Sequence, residues 1–420
     1  MSEALSTADD ATGAREERQS TAFLPLYVLA IFGCALPITS AATVAIPLRL
    51  AALDPADKTR QLSLIVAIGG AVVMLVTAPL GRISDVSASR FGARRPFILG
   101  GAVVGACGML VLACAASVPV LIAGWVLTQA GFAATTMALQ ALLAEAVPSR
   151  TRARVSAMFG LATGIAPFVG GGLIGALPGD PLWWFGVPAV IALCTSTAVA
   201  IVLRDVVHPE RARVDWRSLL RSYWIDPVRH RDFAWAWMCR LLVTMSLVTV
   251  SIYLLFFLTD RLGIAAGDAA RASGAVLAAY FAGSVATSFL AGWVSDRTGG
   301  RKLIVWTSTL LTAAGLLVGL FAQGLALFVV GFAIAGMGQG AFVAVDMAMM
   351  TEVLPATSDA GAGLAVVALS FQLPQLLVPA MAAPLLAIGS AGPNYFALFL
   401  GSITAAVLGA LAVLPIKNVR

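Results

Sequence analysis

"GRISDVSASRFGARRPF", residues 81–97, and "GWVSDRTGGRKLIVW", residues 292–306, carry one pattern twice. Each follows a long apolar run, and each sets an aspartate four residues after a glycine, then a basic cluster. Gly81 pairs with Gly292 and Asp85 with Asp296 at an offset of 211. A second correspondence joins "QALLAEAVPSR" (140–150) to "MAMMTEVLPAT" (347–357), pairing Glu145 with Glu352 and Pro148 with Pro355 at an offset of 207. A third sets Ser40, Thr43 and Pro47 beside Ser246, Thr249 and Tyr253 at an offset of 206, with the i, i+3, i+7 spacing of one helix face. Three agreeing offsets across 420 residues argue for duplication of a unit about half the chain long.

The solvent of that unit is read from composition. The chain is 60% hydrophobic and 11% charged, with a mean hydropathy of +0.92. A water-soluble protein of this size needs far more charge to cover its surface. Twelve apolar runs are long enough to cross a bilayer as helices: 23–51, 61–82, 96–116, 119–147, 154–177, 183–203, 233–259, 270–294, 302–322, 325–353, 361–388 and 393–415. Lipid offers the backbone no partners, and the runs lack the alternation of a barrel, so they are helices. The expected fold is an all-α integral membrane protein of two six-helix bundles. Its predicted parts are a disordered cytoplasmic tail at 1–22, bundles at 23–203 and 233–415, a linker at 204–232 and a second tail at 416–420.

The net charge of +6 does not point to nucleic acid, because the basic residues sit in short loops between apolar runs. With the N-terminus inside, the inside segments hold 22 of the 27 Lys and Arg, counting 204–240 as one such segment. That bias places both termini in the cytoplasm of a plasma (inner) membrane protein. The five cysteines have neither disulfide nor metal spacing and read as small buried hydrophobes. There is no phosphate loop, no soluble domain for a nucleotide, and no converging set of acids, bases and nucleophiles. The expectations are a secondary transporter and not an enzyme, without a cofactor, and a monomer whose partners are a small solute and the bilayer.

The paired loops resemble the signature of the major facilitator superfamily, and the resemblance runs over all twelve spans. Ser84-Asp85 through "SRFGARRPFI" (89–98), with "LPQ" at 373–375, looks like the sucrose-transporter and glycoside/cation-symporter branch. Val86 stands where the signature has Arg, and Ala93 interrupts its basic run. Span 2 lacks the carboxylate of cation-coupled sugar symporters. Span 5, "ATGIAPFVGGGLIG", is instead similar to the antiporter motif of drug exporters at Pro167, Gly170 and Gly171, with Ala153, Ala162 and Ala166 in place of three glycines. The resemblance implies alternating access of a small organic solute, coupled to protons, as a sugar or glycoside symporter or as a drug or metabolite antiporter. A membrane receptor or scaffold that does not transport is the reading from another class.

Candidate residues fall into two sets. Asp85, Arg94, Arg95, Glu145 and Arg152 in the first half, with Asp296, Arg297, Arg301 and Glu352 in the second, are expected to form an ion-pair latch at the cytoplasmic helix ends, against the plainer reading of solvated topological charge. In the interior, Asp346 is the one carboxylate well inside a span. Such residues face the bundle interior, and a proton or a cationic part of a solute would suit it, as would a structural hydrogen bond to a neighbouring helix. Gln339 shares its face. Gln129 and Thr136 in span 4, Ser40 and Thr43 in span 1, Ser246, Thr249 and Tyr253 in span 7, and Gln372 and Gln375 in span 11 are the further candidates for contact with proton or solute.

Overall fold

The computed structural model describes residues 22–85, 89, 91–147, 149–205, 229–353, 360–389 and 392–416. Among the described residues there are twelve membrane-length helices and no strand. They are α1 (Phe23–Leu53), α2 (Lys58–Asp85), α3 (Arg95–Ala113), α4 (Val118–Glu145), α5 (Ser149–Ala176), α6 (Pro181–Val202), α7 (Arg231–Arg261), α8 (Ala266–Thr298), α9 (Arg301–Leu320), α10 (Leu325–Val353), α11 (Ala360–Leu386) and α12 (Tyr395–Val413). The apolar runs therefore gave each span to within a few residues. The tail 1–21 and the linker core 206–228 lie outside the described residues.

Local signals set the ends. Prolines open α3, α4 and α6 in the first turn, where no backbone donor is lost. Asp180 accepts a bond from the Leu182 amide at 2.8 Å and Asn394 one from Ala397 at 2.9 Å, capping α6 and α12. Gly299, at φ 64°, ends α8 in the left-handed conformation that favours glycine. Two helices widen: α1 has a π segment at Ala41–Ala45 and α7 ends in one at Phe257–Arg261. The first breaks the 3.6-residue repeat between Ser40 and Pro47, so the face predicted for Ser40, Thr43 and Pro47 is not continuous.

The duplication reappears atom by atom in helix packing. A Cβ on Gly131 of α4 would lie 2.2 Å from the Gly105 nitrogen and 2.6 Å from the Gly101 oxygen of α3. Adding 207 to each number gives Gly338 of α10, whose Cβ would lie 2.5 Å from Thr312 N and 2.5 Å from Ser308 O of α9. Gly124 against Leu112 N and Gly108 O repeats in the same way as Gly331 against Gly319 N and Gly315 O. With no hydrophobic force between helices in lipid, close backbone approach at small residues is what joins them. The pairings of α3 with α4 and α6, and of α1 with α6, recur as α9 with α10 and α12, and α7 with α12.

By contact the chain forms two compact units, Met1–Ala41, Val72–Gly170 and Leu177–Val214 in one, Ala42–Ala71, Gly171–Ala176 and Asp215–Arg420 in the other. In the first, α3, α4 and α6 form the packed centre. In the second, α10 packs closely against α8 and against α9. The second also holds the later part of α1, the start of α2 and the end of α5. There Ser63 and Tyr253 share a 2.5 Å hydrogen bond, Lys58 meets Asp260 at 2.6 Å, and Arg271 donates to the Gly175 carbonyl at 3.0 Å. Gly171 sits so close to Gly274 that a Cβ would lie 3.0 Å from its Cα.

Candidate functional site

The basic loop residues act mainly within their own half. Arg94, buried at 3% exposure, pairs with Glu145, its Nε 3.1 Å from Oε2, and donates to Ser84 Oγ at 2.7 Å. The backbone amides of Arg94 and Arg95 both donate to Asp205, at 2.7 and 2.8 Å, and the Arg95 guanidinium turns to the Leu203 carbonyl. In the second half Arg301 pairs with Glu352, and Lys302 donates to the carbonyls of Leu414 and Ile416 at 2.6 and 2.8 Å. The start of α3 is thus tied to the end of α6 as the start of α9 is tied beyond the end of α12. Arg152 donates to Val147 O at 3.3 Å. Arg297 stacks on Trp293 at 4.1 Å, and Asp296 is exposed with no ion pair among the described residues. The Asp85 side chain, and Arg90 and Val86 altogether, lie outside the described residues.

In the interior, Asp346 of α10 meets a residue of the opposite charge. Its Oδ2 lies 2.8 Å from Nη1 of Arg240 in α7, and the two side chains are 3% and 2% exposed. Phe371 of α11 covers the guanidinium, with its ring centroid 4.0 Å from Cζ. The pair is incompletely bonded: Asp346 Oδ1 and Arg240 Nε have no hydrogen-bond partner among the described residues, and Nη1 lies off the hydrogen-bond axis. Gln339, two turns before Asp346 on the same face, also has a buried Oε1 without a partner. Among the described residues Cys239, next to Arg240 on α7, also lies within electrostatic reach of Asp346. Val243 of α7, Phe342 and Val345 of α10 and Val367 of α11 belong to one buried apolar cluster on the same three helices.

Arg240 is the partner the candidate set lacks. The charge tally takes it with the inside segment 204–240 although span 233–259 contains it; it lies ten residues into α7 and is buried. Moving it leaves the sign of the charge bias unchanged. A rise of 1.5 Å per residue puts it more than ~10 Å past the helix start, too deep for a loop cation. Its depth from one end of α7 matches that of Asp346 from the end of α10, which was the available signal. The burial of both charges has a cost of several kcal/mol per ion, on the order given for real proteins.

The repeat shows that the packing of α7 on α10 does not require that cost. The 206 offset takes Arg240 to Cys34 and the 207 offset takes Asp346 to Leu139, both fully buried and uncharged. There α1 and α4 are joined by the Tyr27 hydroxyl, which donates to the Leu139 carbonyl at 2.8 Å. One half carries an ion pair where the other carries apolar packing.

The remaining candidates separate. Ser246 is bonded to Ser402 of α12 and Thr249 to the Met245 carbonyl of its own helix. Tyr253 is engaged with Ser63. Ser40 is buried and packs where a Cβ on Gly170 would reach it at 2.6 Å, while Thr43 lies in the π segment. Gln129 is buried with Oε1 unpartnered, one turn from Trp125, whose Nε1 is also unpartnered among the described residues. Thr136 and Gln372 are half-buried and Gln375 is exposed. Cys34 and Cys239 are buried as expected, but Cys107, Cys114 and Cys194 are exposed on the helix surfaces.

The family model described as Major Facilitator Superfamily matches residues 20–276 and 267–419. Two curated proteins of Mycobacterium tuberculosis, both called uncharacterized MFS-type transporters, are 29% identical over 157 residues, 36% of this chain; the match spans about a fifth (21%) of their length. Among solved structures, a bacterial homolog of the human lysosomal transporter Spinster, inward-facing and unoccupied, aligns with a TM-score of 0.70 at 14% identity, over 94% of this chain and 95% of that one. A mutant of the nucleoside transporter NupG aligns with a TM-score of 0.74 at 11% identity, over 94% and 99%. These likenesses show the fold.

Proposed function

The chain belongs to the Major Facilitator Superfamily, and on that premise we propose that it is a proton-coupled secondary transporter of a small organic solute. Asp346 is the proton carrier in this reading and Arg240 its resting counter-ion. One observation carries it: a buried, under-bonded ion pair that only one half of the repeat possesses. A carboxylate in a low-dielectric interior keeps its charge through its partner; taking up a proton releases both groups and loosens α7 from α10. Protonation is thereby linked to helix movement, which is what coupling requires.

The charge bias supports cytoplasmic termini. With that orientation, the contacts Ser63–Tyr253, Lys58–Asp260 and Gly171–Gly274 lie toward the outer helix ends. The monomer is the working unit. A second reading, drug or metabolite export, is favoured by the glycine face of α5, where Gly170 and Gly171 meet Ser40 and Gly274.

The test is reconstitution into liposomes with a pH-sensitive dye inside and an imposed gradient of sugars, carboxylates or a cationic dye outside. Solute-dependent proton movement is expected in the native protein and lost in Asp346→Asn, with an unchanged circular dichroism spectrum. Equal proton movement in Asp346→Asn refutes the assignment.

A further inference from the structure

Resting on the proton-coupled reading, we propose that the solute is an organic monocarboxylate that replaces Asp346 as the counter-ion of Arg240. The argument is one of charge. Arginine stays protonated in proteins, whereas a carboxylate can be neutralised by one proton. When Asp346 takes up its proton, Arg240 is left as a cation 2% exposed, beneath the ring of Phe371. A buried lone cation is costly and calls for an anion. A single negative charge restores the balance, since a proton and a monoanion enter together; a phosphate dianion would leave an excess of one. No bond is made or broken besides the proton transfer to Asp346.

The atoms around the pair fit such a ligand. Arg240 Nε has no hydrogen-bond partner among the described residues and offers a donor to a carboxylate oxygen. Phe371, 43% exposed, covers Arg240 on the α11 side and must turn aside, or stack on the ligand, for an anion to enter. Gln339 Oε1, two turns from Asp346 along the same face, is an acceptor without a donor. It is placed to accept from a hydroxyl or amide N–H of a solute whose acid group sits on Arg240. A neutral sugar would leave Arg240 unpaired, and an organic cation would be repelled by it.

The probes are sodium gluconate and sodium hippurate, with glucose, ethidium chloride and sodium chloride as comparisons. The readout is the thermal unfolding midpoint of the purified full chain at pH 5.5 and pH 8, followed by titration. At least one carboxylate is expected to raise the midpoint beyond sodium chloride, more at pH 5.5 than at pH 8, with no rise from glucose or ethidium. Arg240→Gln is expected to weaken that binding roughly 10- to 100-fold, the loss of a charge-assisted hydrogen bond. Asp346→Asn keeps the binding and removes its pH dependence. A rise from neither carboxylate, a rise from glucose or ethidium alone, or a rise unaltered in Arg240→Gln overturns the inference. Each leaves proton coupling standing, because the liposome assay with Asp346→Asn decides that separately.

Discussion

Converting the second half to the chemistry of the first separates what Arg240 and Asp346 do for folding from what they do for transport. The repeat supplies the substitutions: Arg240→Cys and Asp346→Leu reproduce Cys34 and Leu139. Both side chains are under 4% exposed, so either single change leaves a buried charge without its 2.8 Å partner. That costs about 3–5 kcal/mol, while replacing a whole buried pair by apolar groups is often neutral or stabilising. The two singles differ in one respect. Arg240→Cys leaves a carboxylate that acid can neutralise, so its penalty shrinks as pH falls; Asp346→Leu leaves a guanidinium that stays charged, so its penalty persists. The double variant is expected within about 1 kcal/mol of the native stability, since the interaction energy of a contacting pair cancels most of the two losses. Denaturant unfolding in detergent at pH 5.5 and pH 8 reads the four proteins, and liposome flux reads their activity. The double variant should fold and fail to couple. A double variant as unstable as the sum of the singles refutes the mutual-pair reasoning, and one that still couples protons to solute makes the pair mere packing.

Three further outcomes follow from the geometry. Gly338→Ala forces a Cβ to 2.4 Å from Thr312 Oγ1 and should destabilise by about 1–3 kcal/mol, whereas Gly160→Ala, with nothing within 4 Å, should be silent in the same melt. Glu145→Gln strips the charge partner from buried Arg94 and should cost roughly 1–3 kcal/mol, while Glu352→Gln, whose partner Arg301 is more exposed, should cost under about 1 kcal/mol. Asp260→Asn removes the charge that faces Lys58 at 2.6 Å and leaves one oxygen where the carboxylate accepts from both Lys58 and, at 2.7 Å, Tyr395; it should change the melt little but raise thiol labelling of Ser63→Cys, and equal labelling would show that Asp260 does not protect that position.

The helices and the duplication were legible because both are written in one dimension. Lipid demands long apolar runs, and equal offsets survive any fold. That Gly131 and Gly338 meet equivalent atoms was not legible, because spacing along one helix does not say which neighbour lies against it. Asp346 stood out because a carboxylate among apolar residues is rare. Its partner did not, because Arg240 lies about a hundred residues away and near enough to a basic linker to be counted with it. For Ser246 and Thr249 the spacing gives a helix face but not the partners: a hydroxyl in a helix can bond its own carbonyl or the next helix, and only the neighbours decide which.

Three helices belong to both compact units, and each crosses at a place where its backbone is least stiff. In α1 the crossing at Ala41 and Ala42 falls at the start of the π segment. In α2 it comes just after Gly69 and Gly70, and in α5 it divides Gly170 from Gly171. Sharp bends in helices collect at such wide turns and at glycines. The chain length there is consequently a calibrated quantity. Losing one residue from Ala41–Ala45 would turn the remainder of α1 by about 100° and shift it by about 1.5 Å, taking Ile46 and Leu50 out of the core they fill, whichever of its three alanines is lost.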